Sequence, residues 1–169
     1  MSFKIKNGDS VVSGDFSKLE KLVENLGKEY YVDIGIMGEK NKTVEGGLTL
    51  GGIGAVHEFG TDRAGRGNSV TIPERSFIRM PLETGQDDIE KTVKPKLKAL
   101  MEKGDIKGIF KLIGIAGEAR IQEAFASGGF GEWAPNAKST IRQKGSAQPL
   151  IDIGAAGLRG SISSKVGGN

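Results

Sequence analysis

The sequence predicts an α+β domain, on three observations: amphipathic helical stripes recur along the chain, one stretch alternates with strand period, and glycine clusters mark long loops between them. About three helices are expected to pack mainly on one face of a mixed or antiparallel sheet. The 169 residues can form one hydrophobic core and are too few for two large ones. The expected layout is an N-terminal arm over residues 1–14, a single domain over 15–166 with flexible loops near 39–54 and 60–70, and a loose C-terminus at 167–169.

Residues 1–14 are polar with scattered Val and Ile, as in a short strand or an arm. From Asp15 onward Phe16, Leu19, Leu22, Val23 and Leu26 recur at three- and four-residue spacing, one stripe of a helix with Asp15 as N-cap and Gly27 at its C-terminal end. In Tyr30–Met37 the residues Tyr30, Val32, Ile34 and Ile36 alternate with the rest, the pattern of a half-buried strand. Glu39–Gly54 is polar and glycine-rich and reads as a hairpin extension or a flexible loop. Its Gly51-Gly52-Ile53-Gly54 string lacks both the third glycine of a dinucleotide fingerprint and the Gly-Lys-Ser/Thr ending of a phosphate loop, so nucleotide binding is not expected.

The stretch from Ala55 to Pro81 organises the chain. Two apolar anchors, Val56–Thr61 and Ile72–Arg79, flank a segment carrying Arg63, Gly65, Arg66 and Gly67. No large apolar side chain lies between Phe59 and Val70 to offset the entropy of ordering it, so a mobile loop is expected, either a solvated connector or a loop that orders against a partner.

Thr84–Lys103 is predicted helical: Thr84 and Asp87 stand at cap-box-like spacing, and Ile89, Val93, Leu97, Leu100 and Met101 form a stripe. Pro95 is expected to kink or split it near Thr92–Lys94. A third helix is predicted over Asp105–Ala126, ended by Ser127-Gly128-Gly129, with Phe130, Trp133 and Pro135 following in a loop against the core. Lys138–Lys144 suits one more helical turn, and Leu158, Ile162 and Val166 suggest a short turn leading into a final strand.

Composition narrows the chemistry. With no cysteine there are no disulfides, thiol nucleophiles or thiolate metal sites, and the single histidine, His57, rules out a multi-histidine zinc site. No apolar run approaches the roughly 20 residues of a membrane span. The net charge of +3 comes from 24 basic and 21 acidic residues, and Lys91, Lys94, Lys96 and Lys98 follow Asp87, Asp88 and Glu90 as on a solvated helix face. His57 beside Glu58 resembles a proton-transfer pair, but no nucleophile-elbow serine accompanies them, and sequence neighbours on a strand do not face each other. Asp33, Glu58 and Asp152 fit no cation-binding loop and read as capping or ion-pairing groups. No catalytic, cofactor-binding or metal-binding residue is expected. Phe77, Trp133, Leu150, Ile151 and Leu158 are the expected core.

The order of three motifs resembles one family. His57-Glu58-Phe59-Gly60-Thr61 followed by Ile72-Pro73-Glu74-Arg75-Ser76-Phe77-Ile78-Arg79 looks like the "EFGT…IPxRPF(L/I)R" signature of the tailed-phage virion-morphogenesis proteins, the minor tail-component and tail-completion group. Trp133-Ala134-Pro135 with Thr140-Ile141 and Lys144 is similar to that group's "W.PL…T…K" segment. Leu150-Ile151-Asp152-Ile153-Gly154 with Leu158-Arg159-Gly160-Ser161-Ile162 is similar to its "LIDTGxLRxSI" ending. Together these span roughly residues 55–163. The chain departs from the pattern at Ser76, where proline is frequent, at Ile153, where threonine is usual, and in the spacing after Gly154.

The resemblance implies a non-enzymatic structural protein of the virion tail or neck, made in the bacterial cytoplasm. It implies self-association into a ring, a hexamer by analogy, that ends tail-tube growth and supports head–tail joining. The implied partners are the tail-tube protein and head-closure or connector proteins, with DNA only passing through the lumen and no cofactor. Candidate assembly residues are Arg63, Arg66, Glu58, Phe59, Arg75 and Arg79. The alternative from the residues alone is a small basic nucleic-acid-associated protein, whose binding would fall steeply with salt.

Overall fold

The computed structural model describes residues 2–7, 10–15, 23–25, 27–44, 47–150 and 157–168, the first two segments by their backbone. The fold is α+β, and its described strands form three antiparallel pairs. β1 (Ser2–Asn7) and β2 (Ser10–Asp15) make an N-terminal hairpin in which Asp15 pairs with Ser2. Asp15 ends a strand, and the residues it is expected to cap lie outside the described ones. Val23–Asn25 are helical and the Gly27 N–H closes onto the Val23 carbonyl, while the rest of the predicted stripe lies outside the described residues.

β3 (Tyr30–Ile36) falls where the alternation predicts it and pairs with β6 (Ile162–Gly168) at the far end of the chain. Gly167 and Gly168 thus belong to a strand, and the expected loose C-terminus is corrected for them. Across this ribbon lies the longest helix, α4 (Ile106–Ser127), whose N-cap Asp105 accepts from the Gly108 N–H at 2.9 Å and whose C-cap Gly128 has a left-handed backbone. Two glycines let α4 approach the strands. A Cβ built at Gly114 would lie 2.6 Å from Ser164 Oγ and 3.0 Å from Val32 Cγ2, and one at Gly117 would lie 2.5 Å from Ile34 Cδ1. Those separations leave no room for a methyl group.

The glycine-rich stretch expected as a hairpin extension or a flexible loop carries an antiparallel bridge between Thr43 and Thr49 and then a helix. After a 3₁₀ turn at Gly38–Lys40, α1 runs from Leu50 to Phe59 with Thr49 as N-cap, its hydroxyl accepting from the Gly52 N–H at 3.1 Å. The helix seats its small face on the core: a Cβ at Gly54 would stand 3.1 Å from Ile36 Cδ1 and 3.3 Å from Phe77 Cζ. Close tertiary approach overrides the low helix propensity of Gly51, Gly52 and Gly54.

The predicted helix over Thr84–Lys103 is found as α3 (Gln86–Glu102), and a short helix that was not predicted, α2 (Arg79–Thr84), precedes it across Gly85. Thr84 does not form the expected capping box, because its hydroxyl donates to the Met80 carbonyl. α3 runs unbroken through Pro95, so the expected split there does not occur. α2 and α3 part at Gly85, where Arg120 packs so closely that a Cβ would meet its Nε at 2.6 Å. α5 (Lys138–Lys144) and α6 (Leu158–Ser161) match the remaining expectations, α6 leading directly into β6.

The core gathers where α1, α4, α6 and the loop after α4 meet. Phe77, Trp133, Leu150 and Leu158 are all buried in it as expected, together with Ile121, Phe125 and Ile162. Ile151 lies outside the described residues. Pro135, expected against the core, is exposed.

Candidate assembly surface

α1 places Glu58 and Phe59 on different sides of one helix, because successive residues turn by about 100°. Leu50, Gly54 and Glu58 fall on its buried face, and Phe59 is 67% exposed. The Glu58 carboxylate enters the turn before α2, where Oε1 accepts from the Ser76 hydroxyl at 2.6 Å and from the Arg79 N–H at 3.0 Å. Oε2 accepts from the Phe77 N–H at 2.8 Å and the Ile78 N–H at 2.9 Å. Ser76 Oγ in turn accepts from the Met80 N–H at 2.9 Å. These are N–H groups at and just before the start of a helix, which have no partner within it, and the negative charge suits that end of the helix dipole.

Arg75 is buried beside this node. Its Nε donates to the Ala134 carbonyl at 2.8 Å and its Nη2 to the Pro135 carbonyl at 3.0 Å, and the Arg75 N–H donates to the His57 carbonyl at 2.7 Å. Burial lowers its pKa from the ordinary arginine value, and a guanidinium remains protonated through such a shift. Trp133 Nε1 donates to the Ser76 carbonyl at 3.2 Å. Both halves of the first motif, His57–Thr61 and Ile72–Arg79, and the Trp133–Pro135 segment of the second therefore meet in one buried hydrogen-bonded junction. Glu58 and Arg75 are corrected from assembly contacts to internal struts: both carry charge, but both are turned inward onto backbone groups.

Four of the expected contact residues remain accessible. Arg79, half-exposed, pairs with Glu74 at 2.7 Å, and its guanidinium carbon stands 6.0 Å from the centroid of the Phe59 ring. Between them opens a hollow of 350 Å³ lined by Ile36, Gly54, Ala55, Phe59, Ile78 and Arg79. The chain then leaves α1 through Gly60 into β4 (Thr61–Ala64), which returns as β5 (Val70–Ile72). The segment expected to be a mobile loop is thus a two-stranded ribbon. Backbone pairing of Thr61 with Ile72 and of Ala64 with Val70 orders it without buried apolar side chains. Arg63 and Arg66 are exposed on it, and the Arg63–Asp62 contact at 3.9 Å, with both side chains over 80% exposed, leaves the arginine open to a partner.

Gly60 sets the angle at which the ribbon leaves the domain. Its φ of 68° and ψ of 172° lie where essentially only glycine goes, and a Cβ there would sit 2.7 Å from the Glu74 nitrogen. Gly60→Ala is expected to destabilise the fold by about 2 kcal/mol in chemical denaturation. An unchanged midpoint would show that the ribbon can leave at another angle.

Of the three carboxylates weighed as a cluster, Asp33 is exposed on β3, Glu58 is buried against the turn before α2, and Asp152 lies outside the described residues; His57 is half-buried on α1. Among the described residues no group of three or more His, Asp or Glu side chains could hold a metal ion. No described helix is long and apolar enough to cross a membrane. No protein-family model, curated protein or solved structure matches the chain.

Proposed function

We propose that this chain is a structural tail-completion protein of a tailed phage or phage-tail-like particle, placed at the head-proximal end of the tail and supporting head–tail joining. The observation that carries the reading is the division of labour within the signature stretch. Its charged residues Glu58 and Arg75 are spent on internal struts, and the same stretch turns Phe59, Arg79 and an arginine-bearing ribbon outward. A rigid base under a projecting polar ribbon suits a subunit that grips its neighbour or the tail tube, and a head-to-tail contact of that kind closes into a ring. Members of the resembled group act in this way, with the tube protein and a head-closure protein as partners and a hexamer as the ring.

The test is native mass by light scattering, alone and after mixing with the tail-tube protein encoded nearby. A defined multimer that appears with the tube supports a ring capping the tail. Arg63→Ala with Arg66→Ala is expected to leave thermal unfolding within about 0.5 kcal/mol of the parent, since both are surface positions, while lowering particle completion by tenfold or more. Full completion by that variant would remove the ribbon from the interface. A chain that ignores the tube but shifts duplex DNA in a salt-dependent manner would instead favour a nucleic-acid role.

A further inference from the structure

The β3–β6 ribbon is narrow for the helix it carries. α4 lies over both strands, as the contacts of Gly114 with Ser164 and Val32 require, so its flank on the β6 side overhangs the sheet edge. There a groove of 560 Å³ runs between α4 and β6, lined on one side by Lys107, Lys111, Ile115 and Glu118 and on the other by Ser164 and Val166. Ile115 is 53% exposed in it. The backbone of β6 is equally open. Apart from its pairing with β3 and a bond from Lys40 Nζ to the Ile162 carbonyl, no hydrogen bond among the described residues reaches its backbone. The outer edge of a strand in a two-stranded ribbon presents N–H and C=O groups that another strand can complete.

We propose that this edge is a two-fold interface at which β6 pairs antiparallel with β6 of a second copy, giving a four-stranded sheet β3-β6-β6-β3 with the two α4 helices side by side. Two features select a second copy as the occupant. The first is spacing. Each α4 sits over a strand pair, so joining the pairs edge to edge sets the helices two strand spacings apart, about 9.6 Å, within the roughly 8–10 Å at which helices pack. The second is charge order. Lys111, Ile115 and Glu118 follow one another at four- and three-residue steps along one face of α4, a cation, an apolar centre and an anion. A two-fold axis near Ile115 turns that face onto itself reversed: Ile115 meets Ile115, and Lys111 of each copy meets Glu118 of the other. The face is self-complementary, as an isologous contact demands. Lys165 does not oppose the approach, because alternation places it on the sheet face away from Ser164 and Val166, opposite Asp33 in the β3–β6 register. This pairing is independent of the tail reading, since a two-fold contact closes on itself whereas a ring is built head-to-tail.

Sedimentation equilibrium of the full chain alone tests it, from low micromolar to several hundred micromolar. The parent is expected to show a reversible monomer–dimer equilibrium. Lys111→Glu and Glu118→Lys are each expected to weaken it about tenfold, because each sets two like-charge contacts where two opposite ones stood. The double variant is expected to return to within about threefold of the parent, since it restores both pairs. Circular dichroism would check that these surface variants stay folded. A parent that is monomeric throughout, an assembly larger than a dimer, single reversals without effect, or a double reversal no better than the singles would each overturn the proposal.

Discussion

Glu58→Ala is expected to lose about 4 kcal/mol of stability, a large share of the roughly 5–15 kcal/mol that holds a domain of this kind together. The carboxylate is buried and accepts four hydrogen bonds, from the Ser76 hydroxyl and the N–H groups of Phe77, Ile78 and Arg79. Removing it strands those donors in an interior where a lost partner costs far more than an average bond contributes. Glu58→Gln separates charge from shape. It keeps one carbonyl acceptor but turns an amide NH₂ toward N–H groups, so it is expected to fall between alanine and the parent. The measurement is urea unfolding, with alanine and glutamine variants compared at constant m-value. If Glu58→Ala left the midpoint where it was, the turn before α2 would have to be held by other contacts. Arg75 ties the same turn to the Ala134 and Pro135 carbonyls and Trp133 donates to its Ser76 carbonyl, so loss of Glu58 is expected to loosen both and to couple non-additively with changes at Arg75.

The elements legible in the sequence are those whose signals are local. α4 has its cap at Asp105, its stripe through Ile106, Ile113 and Ile121, and its stop at Gly128, all within one window of chain. β3 was legible from alternation alone, and the turn from Leu158 into β6 from three apolar residues. The illegible parts are those decided by partners far along the chain. α1 carries three glycines that argue against a helix, and what favours it is the contact of Gly54 with Ile36 and Phe77. Thr49 followed by Leu50, Ile53 and His57 at helical spacing was the available cue. Glu58 and Arg75 look like surface charges because nothing near them in sequence announces the hydrogen-bond partners that bury them: the donors to Glu58 lie 18 to 21 residues on, and the acceptors of Arg75 lie 59 and 60 residues on. The ribbon of β4 and β5 was hidden for the opposite reason. Its order comes from backbone pairing, which side-chain hydrophobicity does not record.

Phe125→Ala is expected to be the other severe substitution, costing about 4 kcal/mol, the sum of lost apolar transfer and the cavity left where a fully buried ring cannot be replaced by collapse. Phe125 is wholly buried, with its ring centroid 5.3 Å from that of Phe77 and 5.8 Å from that of Trp133 in an edge-on contact. Phe77 follows Ser76, and Trp133 donates to the Ser76 carbonyl, so the cavity would open directly behind the turn that Glu58 holds. Phe130→Ala is the matched control. That ring is 37% exposed and is covered by the Arg120 guanidinium at 4.0 Å, and its loss is expected to cost about 1 kcal/mol or less. Trp133 is the only tryptophan, so its fluorescence reads the cluster itself during unfolding. A Phe125→Ala cost under about 1 kcal/mol would mean that α4 can shift to fill the space, and hence that Gly114 and Gly117 do not fix its distance from β3 and β6. The same series separates support from contact: Phe125→Ala should reduce particle completion only as far as it unfolds the chain, whereas the Arg63 and Arg66 variant should reduce it with the fold intact.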